Sequence, residues 1–261
     1  VKFKGGKLPS SIGGLIHLRF LCLHKAGLSH LPSTMRNLKL LLYLDLDVAI
    51  GEPVHVPNVL KEMLELRYLY LPMDMHDKTE LELGDLVNLE HLWGFSTQHS
   101  SVTDLLRMTK LRYLSVSLSE RCTFETLSSS LRQLRNLEML YLDCSYKIYL
   151  GELDLDFIHL KEFDLDFIHL KELGLGVRMS KIPDQHQFPP HLEHISLFYC
   201  GIEEDPMPIL ERLLHLKSVS LRSYAFVGRR MVCSKGGFPQ LRALEISEGS
   251  ELEEWIVEEG S

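Results

Sequence analysis

The side chains of this chain that could do chemistry are few, and their spacing decides what they can do. His191 and His194 form an HxxH pair of the kind that suggests a metal site, but no third histidine, cysteine or carboxylate stands at a known ligand spacing. Asp154, Asp156, Asp164 and Asp166 alternate with apolar residues, whereas a calcium loop needs a glycine turn and a closing glutamate. Gly5-Gly6-Lys7-Leu8 is similar to the end of a phosphate loop, yet it lacks the first glycine and the hydroxyl after the lysine that would bind magnesium. No GxSxG, HExxH or cysteine–histidine signature is present. No metal ligand and no catalytic residue is therefore assigned, and an enzyme is not expected. What remains is the chemistry of recognition, carried by aromatic residues that recur at regular intervals: Phe20, Tyr43, Tyr68, His91 and Tyr113, then Met139. Two positions further on stand Tyr70, Trp93 and Tyr141.

The element that must position these residues is a repeated strand. Within LIHLRFLCL, Leu18, Leu21 and Leu23 spell LxxLxL. Strand side chains alternate, so Leu21 and Leu23 face one side while Phe20, Cys22 and His24 face the other. The phrase returns from Leu41, Leu66, Leu111, Leu137, Leu170, Leu192, Leu216 and Leu241, with a degenerate copy at Leu89-Leu92-Gly94. Successive copies lie 22 to 26 residues apart, except for 33 between Leu137 and Leu170. That is the period of a leucine-rich repeat. The expected fold is an α/β leucine-rich repeat solenoid, a curved horseshoe. Its parallel strands line the concave face, and short helices and irregular loops lie on the convex face. No single turn buries its own leucines, so stacking supplies the core. The recurring aromatics then fall on the concave face, where solenoids usually bind and where aromatic and methionine side chains act as hot spots.

A second phrase precedes most strands, as in Leu8-Pro9-Ser10-Ser11-Ile12 and Leu31-Pro32-Ser33-Thr34-Met35. Proline tolerates a first helical turn and serine can cap it, so these predict short convex helices. Comparable segments are Pro57 to Leu64, Leu83 to Leu86, Thr103 to Met108, Leu127 to Leu134 and Pro206 to Leu214. The long step has its own cause: ELDLDFIHLK at 152–161 is followed by EFDLDFIHLK at 162–171, so residues 152–171 read as an irregular duplicated segment. One copy bulges out or the pairing register is ambiguous, because both offer an equivalent strand. Between Leu221 and Leu241 the helical pattern fails and Arg222, Arg229, Arg230 and Lys235 predict a basic loop. Cys200 sits where a repeat ties off its turn and reads as structural.

Composition narrows the class. With 28 basic and 36 acidic residues the net charge is −8, which argues against general nucleic-acid binding. The five cysteines contain no CxxC and read as reduced thiols in a reducing compartment. None of the four asparagines begins a glycosylation sequon. No apolar run is long enough to span a bilayer. Residues 1–261 read as a single repeat array truncated at both ends, since Val1-Lys2-Phe3 looks like the exit of an earlier strand and no polar cap is visible.

Taken together, LPSSIGGLIHLRFL, LPSTMRNLKLLLYLDL, VPNVLKEMLELRYLYLP, FPQLRALEI and SELEEWIVEEGS resemble the leucine-rich repeat region of plant nucleotide-binding leucine-rich-repeat disease-resistance proteins. The coiled-coil class, in the oomycete and virus resistance branch, is the nearest likeness. The resemblance implies a cytoplasmic immune receptor, membrane-associated if at all through other domains. A separate upstream domain would bind ATP or ADP, so no cofactor is expected in this segment. It also implies a pathogen effector or a guarded host protein as ligand, together with autoinhibitory contact to the receptor's own nucleotide-binding domain. On that reading Phe20, Tyr43, Tyr68, Tyr70, His91, Trp93, Tyr113 and Tyr141 discriminate the ligand. Asp45, Asp47, Asp143, Arg229 and Arg230 are candidates for intramolecular docking. The alternative is a generic intracellular leucine-rich repeat scaffold, such as a ubiquitin-ligase substrate receptor, because fold does not fix function. A cell-surface ectodomain shares the fold, but the missing sequons and unpaired cysteines weigh against it.

Overall fold

Each LxxLxL phrase places leucines on one side of a short extended segment, and that side is buried against the turn before and after. A computed structural model describes residues 3–48, 53–119, 122–144, 167–247 and 251–259. The chain divides into two compact units, Val1–Asn136 and Leu137–Ser261.

In the first unit the strands are β1 (Phe20–Cys22), β2 (Tyr43–Asp45), β3 (Tyr68–Tyr70), β4 (His91–Ser96) and β5 (Tyr113–Ser117). Each pairs in parallel with the next in sequence. The register matches repeat to repeat, so Leu21, Leu44, Leu69, Leu92 and Leu114 stand side by side. Leu41, Leu44, Leu46, Leu66, Leu69 and Leu71 are fully buried, each such leucine contributing roughly 1.5–3 kcal/mol relative to exposure. The degenerate copy keeps the core by a bulge. The register shifts between Leu92 and Phe95, Gly94 adopts φ 77°, and Phe95 takes the fully buried place. A Cβ on Gly94 would meet the Leu71 carbonyl oxygen at 2.8 Å.

The return paths are mostly 3-10 helices, at Ser10–Gly14, Ser33–Asn37, Leu60–Glu62 and Val102–Arg107, with one α-helix, α1 (Phe124–Leu131). The tighter helix suits a short return, and runs of this length are its usual use. Three expectations are corrected here. Pro9 and Pro32 stand just before their helices rather than in the first turn, and neither helix has a side-chain cap bond. Such caps occur instead at Ser101 and Thr123, which accept from the Thr103 and Thr126 amides. Leu83 to Leu86 forms a turn rather than a helix. Neighbouring returns are tied by ion pairs, Lys39 with Glu62 at 2.7 Å, Lys61 with Glu82 at 2.8 Å and Arg107 with Asp85 at 2.5 Å.

In the second unit β6 (Met139–Asp143), β7 (Glu172–Gly176), β8 (His194–Phe198), β9 (Ser218–Arg222) and β11 (Ala243–Ile246) pair in parallel in that order. A short α-helix, α2 (Met207–Leu210), precedes β9. Of the duplicated segment, residues 152–166, including Asp154, Asp156, Asp164 and Asp166, lie outside the described residues. The end of the second copy leads into β7, where Leu173 pairs with Leu140. The predicted basic loop is also corrected. It contains a strand, β10 (Arg230–Cys233), which pairs in parallel with β12 (Glu254–Val257) as a separate small sheet. Met231 is buried there while Trp255 stays exposed.

Candidate recognition face and its chemistry

Because the register repeats exactly one turn at a time, the residue before each central leucine lands beside its counterpart. Phe20, Tyr43, Tyr68, His91 and Tyr113 therefore form one row across β1 to β5. Their rings make a ladder. Phe20 stacks on Tyr43 with centroids 4.3 Å apart, Tyr68 on His91 at 4.4 Å and His91 on Tyr113 at 4.0 Å, while Tyr43 and Tyr68 are tilted at 5.9 Å. Such cross-strand pairs stiffen the sheet. The ladder still leaves surface: Phe20 is 60% exposed, and the other four are half-buried. The second row brings Cys22, Asp45, Tyr70 and Trp93 into register, with the Tyr70 ring 5.7 Å from that of Tyr43.

The electrostatics of this face centre on Asp45, which is 6% exposed. One carboxylate oxygen accepts from the Asp47 amide at 2.9 Å. The other accepts from the Tyr43 hydroxyl at 3.4 Å and the Cys22 thiol at 3.5 Å. Burial first, and the Asp45 charge second, push the Tyr43 phenol up to about 12. The same two causes raise Tyr70. His24 lies 3.3 Å from Asp47 and 3.9 Å from Asp45. Strand alternation already puts His24 on this face, but nothing in the sequence says that both aspartates come within its reach. Arg112, also missed, lies over the Tyr113 ring at 5.8 Å.

The remaining candidates fall in the second unit. Tyr141 stands opposite Gly174 and Met139 opposite Glu172. The Tyr141 hydroxyl donates to Glu172 at 2.6 Å, and burial, followed by that bond, raises its pKa. Glu172 was invisible as a partner because the duplication displaces it from the regular spacing. Asp143 pairs in register with Gly176. Arg229 and Arg230 form ion pairs with Glu253 at 3.6 Å and Glu254 at 2.9 Å. The basic run and the acidic run that follows it thus meet each other.

His194 lies 4.0 Å from Glu193, and the His191 ring is 5.4 Å from His215. Among the described residues no three histidine, cysteine or acidic side chains converge as metal ligands would. All five cysteines are free thiols. Of the three buried ones, two donate to backbone carbonyls, Cys144 to Gly176 and Cys200 to Leu175, and burial pushes these two up to about 11 and about 12. These thiols are held neutral and serve packing. No helix among the described residues is long and apolar enough to cross a membrane.

A family model described as a leucine-rich repeat region matches residues 4–260. Over its whole length the chain is 77% identical to Disease resistance RPP8-like protein 3 and 74% identical to Disease resistance protein RPP8, both of Arabidopsis thaliana. It is 64% identical to Disease susceptibility protein LOV1 of the same plant. In each case it spans 28% of the relative's length. Among solved structures, an internalin (inlF) from Listeria monocytogenes superposes with a TM-score of 0.56 at 15% identity, covering 95% of this chain and 70% of that one. The leucine-rich repeat ectodomain of the receptor kinase GASSHO1/SCHENGEN3 from Arabidopsis thaliana gives 0.51 at 18% identity, covering 92% and 31%. At that identity the likeness speaks for the fold alone. The relatives meet the resemblance to plant disease-resistance proteins read from the sequence, and the chain belongs to the leucine-rich repeat region family.

Proposed function

We propose that this chain is the recognition region of an intracellular plant disease-resistance receptor, binding a protein partner through the open strand face of its first unit. The single observation that carries this reading is the aligned row from Phe20 to Tyr113, whose rings contact one another and remain partly exposed. Rigid, pre-stacked aromatics lose little conformational entropy on binding, which is why such residues dominate hot spots. The partner is a pathogen effector or a guarded host protein. The receptor's own nucleotide-binding domain, with its ATP or ADP, is the second contact. Five free thiols suit a cytoplasmic setting, where disulfides are rare. A partner acts on such a receptor only by binding one of its conformations more tightly than the other.

The test is the full receptor carrying Tyr68→Ala with Trp93→Ala, scored for pathogen-triggered cell death. Recognition should fall by at least ~30-fold in the partner dose needed, as expected when hot-spot rings are truncated, with receptor abundance unchanged. Undiminished recognition at equal abundance would refute the assignment.

A further inference from the structure

Several surface carboxylates of the first unit are answered by a basic residue of a neighbouring turn: Glu62 by Lys39, Glu82 by Lys61 and Asp85 by Arg107. Asp45 and Asp47 are arranged differently. Among the described residues neither is paired with a lysine or an arginine, and the one ion-pairing neighbour is His24. Both acids lie at the exit of β2, Asp45 as its last residue in register with Tyr70 and Asp47 two residues on, so two negative charges and two phenol rings border one patch. The Tyr43 and Tyr70 rings are tilted by 40° with centroids 5.7 Å apart. The Asp45 carboxylate accepts from the Tyr43 hydroxyl at 3.4 Å, and Asp47 keeps 37% of its side chain exposed. Phenol faces with nearby carboxylates attract a cation twice over, through the ring quadrupole and through direct charge.

Resting on the reading above, we propose that this face receives an arginine side chain of the protein partner, its guanidinium lying against the Tyr43 and Tyr70 rings within the field of Asp45 and Asp47. Arginine is the better fit than lysine because its planar, weakly hydrated head stacks on aromatic rings while its edge hydrogens reach carboxylates. The patch thereby supplies charge selectivity that the aromatic row alone lacks, favouring basic segments and rejecting acidic ones.

The probe is an acetylated, amidated Gly-Arg-Gly-Arg-Gly peptide, titrated calorimetrically into the 261-residue chain at physiological salt beside a peptide of the same length carrying citrulline, the uncharged isostere. The arginine peptide should bind about tenfold more tightly than the citrulline one, the scale expected of a partly desolvated cation on aromatic faces. Asp47→Asn and Tyr70→Ala should each remove most of that advantage, whereas Glu203→Gln with Glu204→Gln, two exposed acids of the second unit, should leave it intact. Equal binding of the two peptides overturns the proposal, as does equal loss in the Glu203/Glu204 variant, which would reduce the effect to net charge. The Lys25 amide donates to the Asp47 main-chain carbonyl at 2.8 Å, a bond that replacing the side chain keeps, so Asp47→Asn tests binding rather than folding, and circular dichroism verifies this for both variants. In the full receptor, Asp47→Asn should lose pathogen recognition. If it instead triggers signalling without pathogen, the receptor's own surface occupies the patch and the partner assignment is overturned. Failure of these tests while Tyr68→Ala with Trp93→Ala still abolishes recognition removes the arginine and leaves the aromatic row standing.

Discussion

Tyr43 shows how much one side chain is asked to do: it stacks on Phe20, leans on Tyr68 and Tyr70, and donates its hydroxyl to Asp45. Its phenol stays protonated up to about 12, and those of Tyr70 and Tyr141 are also raised. For a phenol whose folded value lies above its unfolded one, the stabilisation is complete below the unfolded pKa. It is lost as pH rises through the folded value. Alkaline titration of the native chain, followed by phenolate absorbance, should therefore show a late group of tyrosines absent from the titration in denaturant. Fold stability should decline between about pH 10 and pH 12. Asp45→Asn should move Tyr43 only part of the way down, because burial is the larger cause. A single tyrosine titration in the native chain, superimposable on the denatured one, would contradict this. Which outward residues exist was readable from the alternation around each leucine. The partnerships of Asp45 with Tyr43 and of Tyr141 with Glu172 were not, since each depends on where the adjacent strand lies.

At the level of elements, the strands were legible and the returns only partly so. Leucine spacing specifies both the strand and its register, because a shift of one residue would turn every leucine outward. The segments opened by Pro9 and Pro32 hold mixed signals, and close stacking of neighbouring turns settles them as 3-10 helices. Gly13 is where that stacking is tightest: an added Cβ would lie 2.4 Å from the Thr34 carbonyl oxygen, while at Gly14 it would meet nothing within 4 Å. Gly13→Ala should destabilise the chain by about 1–3 kcal/mol through overpacking. Gly14→Ala should be neutral or gain up to ~1 kcal/mol from reduced unfolded-state entropy. Urea denaturation of the two variants checks the contrast, and equal midpoints would refute it. The strands β10 and β12 escaped the sequence reading because neither carries the LxxLxL phrase, and the Arg229-Arg230 run looked like an ordinary exposed loop. The acidic residues that answer it lie one turn later, a relation that only the fold makes visible.

On the scale of the molecule, leucines supply a core that is nearly the same from one described turn to the next, and individuality lies in the outward rows. The two units differ there. The first presents Phe20, Tyr43, Tyr68, His91 and Tyr113, whereas β7 to β9 of the second present Glu172, His194 and Ser218 at the same register. A repeat whose interior is uniform and whose face is not is suited to selecting partners by surface chemistry. The most direct measurement of that claim places a photo-crosslinking phenylalanine analogue at Tyr68, or at the exposed Tyr224 as control, in the full receptor expressed in pathogen-challenged leaf. Tyr68 should give a crosslink to a pathogen or guarded host protein that appears only on challenge, and Tyr224 should not. A challenge-dependent crosslink at Tyr224 with none at Tyr68 would contradict recognition through the aromatic face.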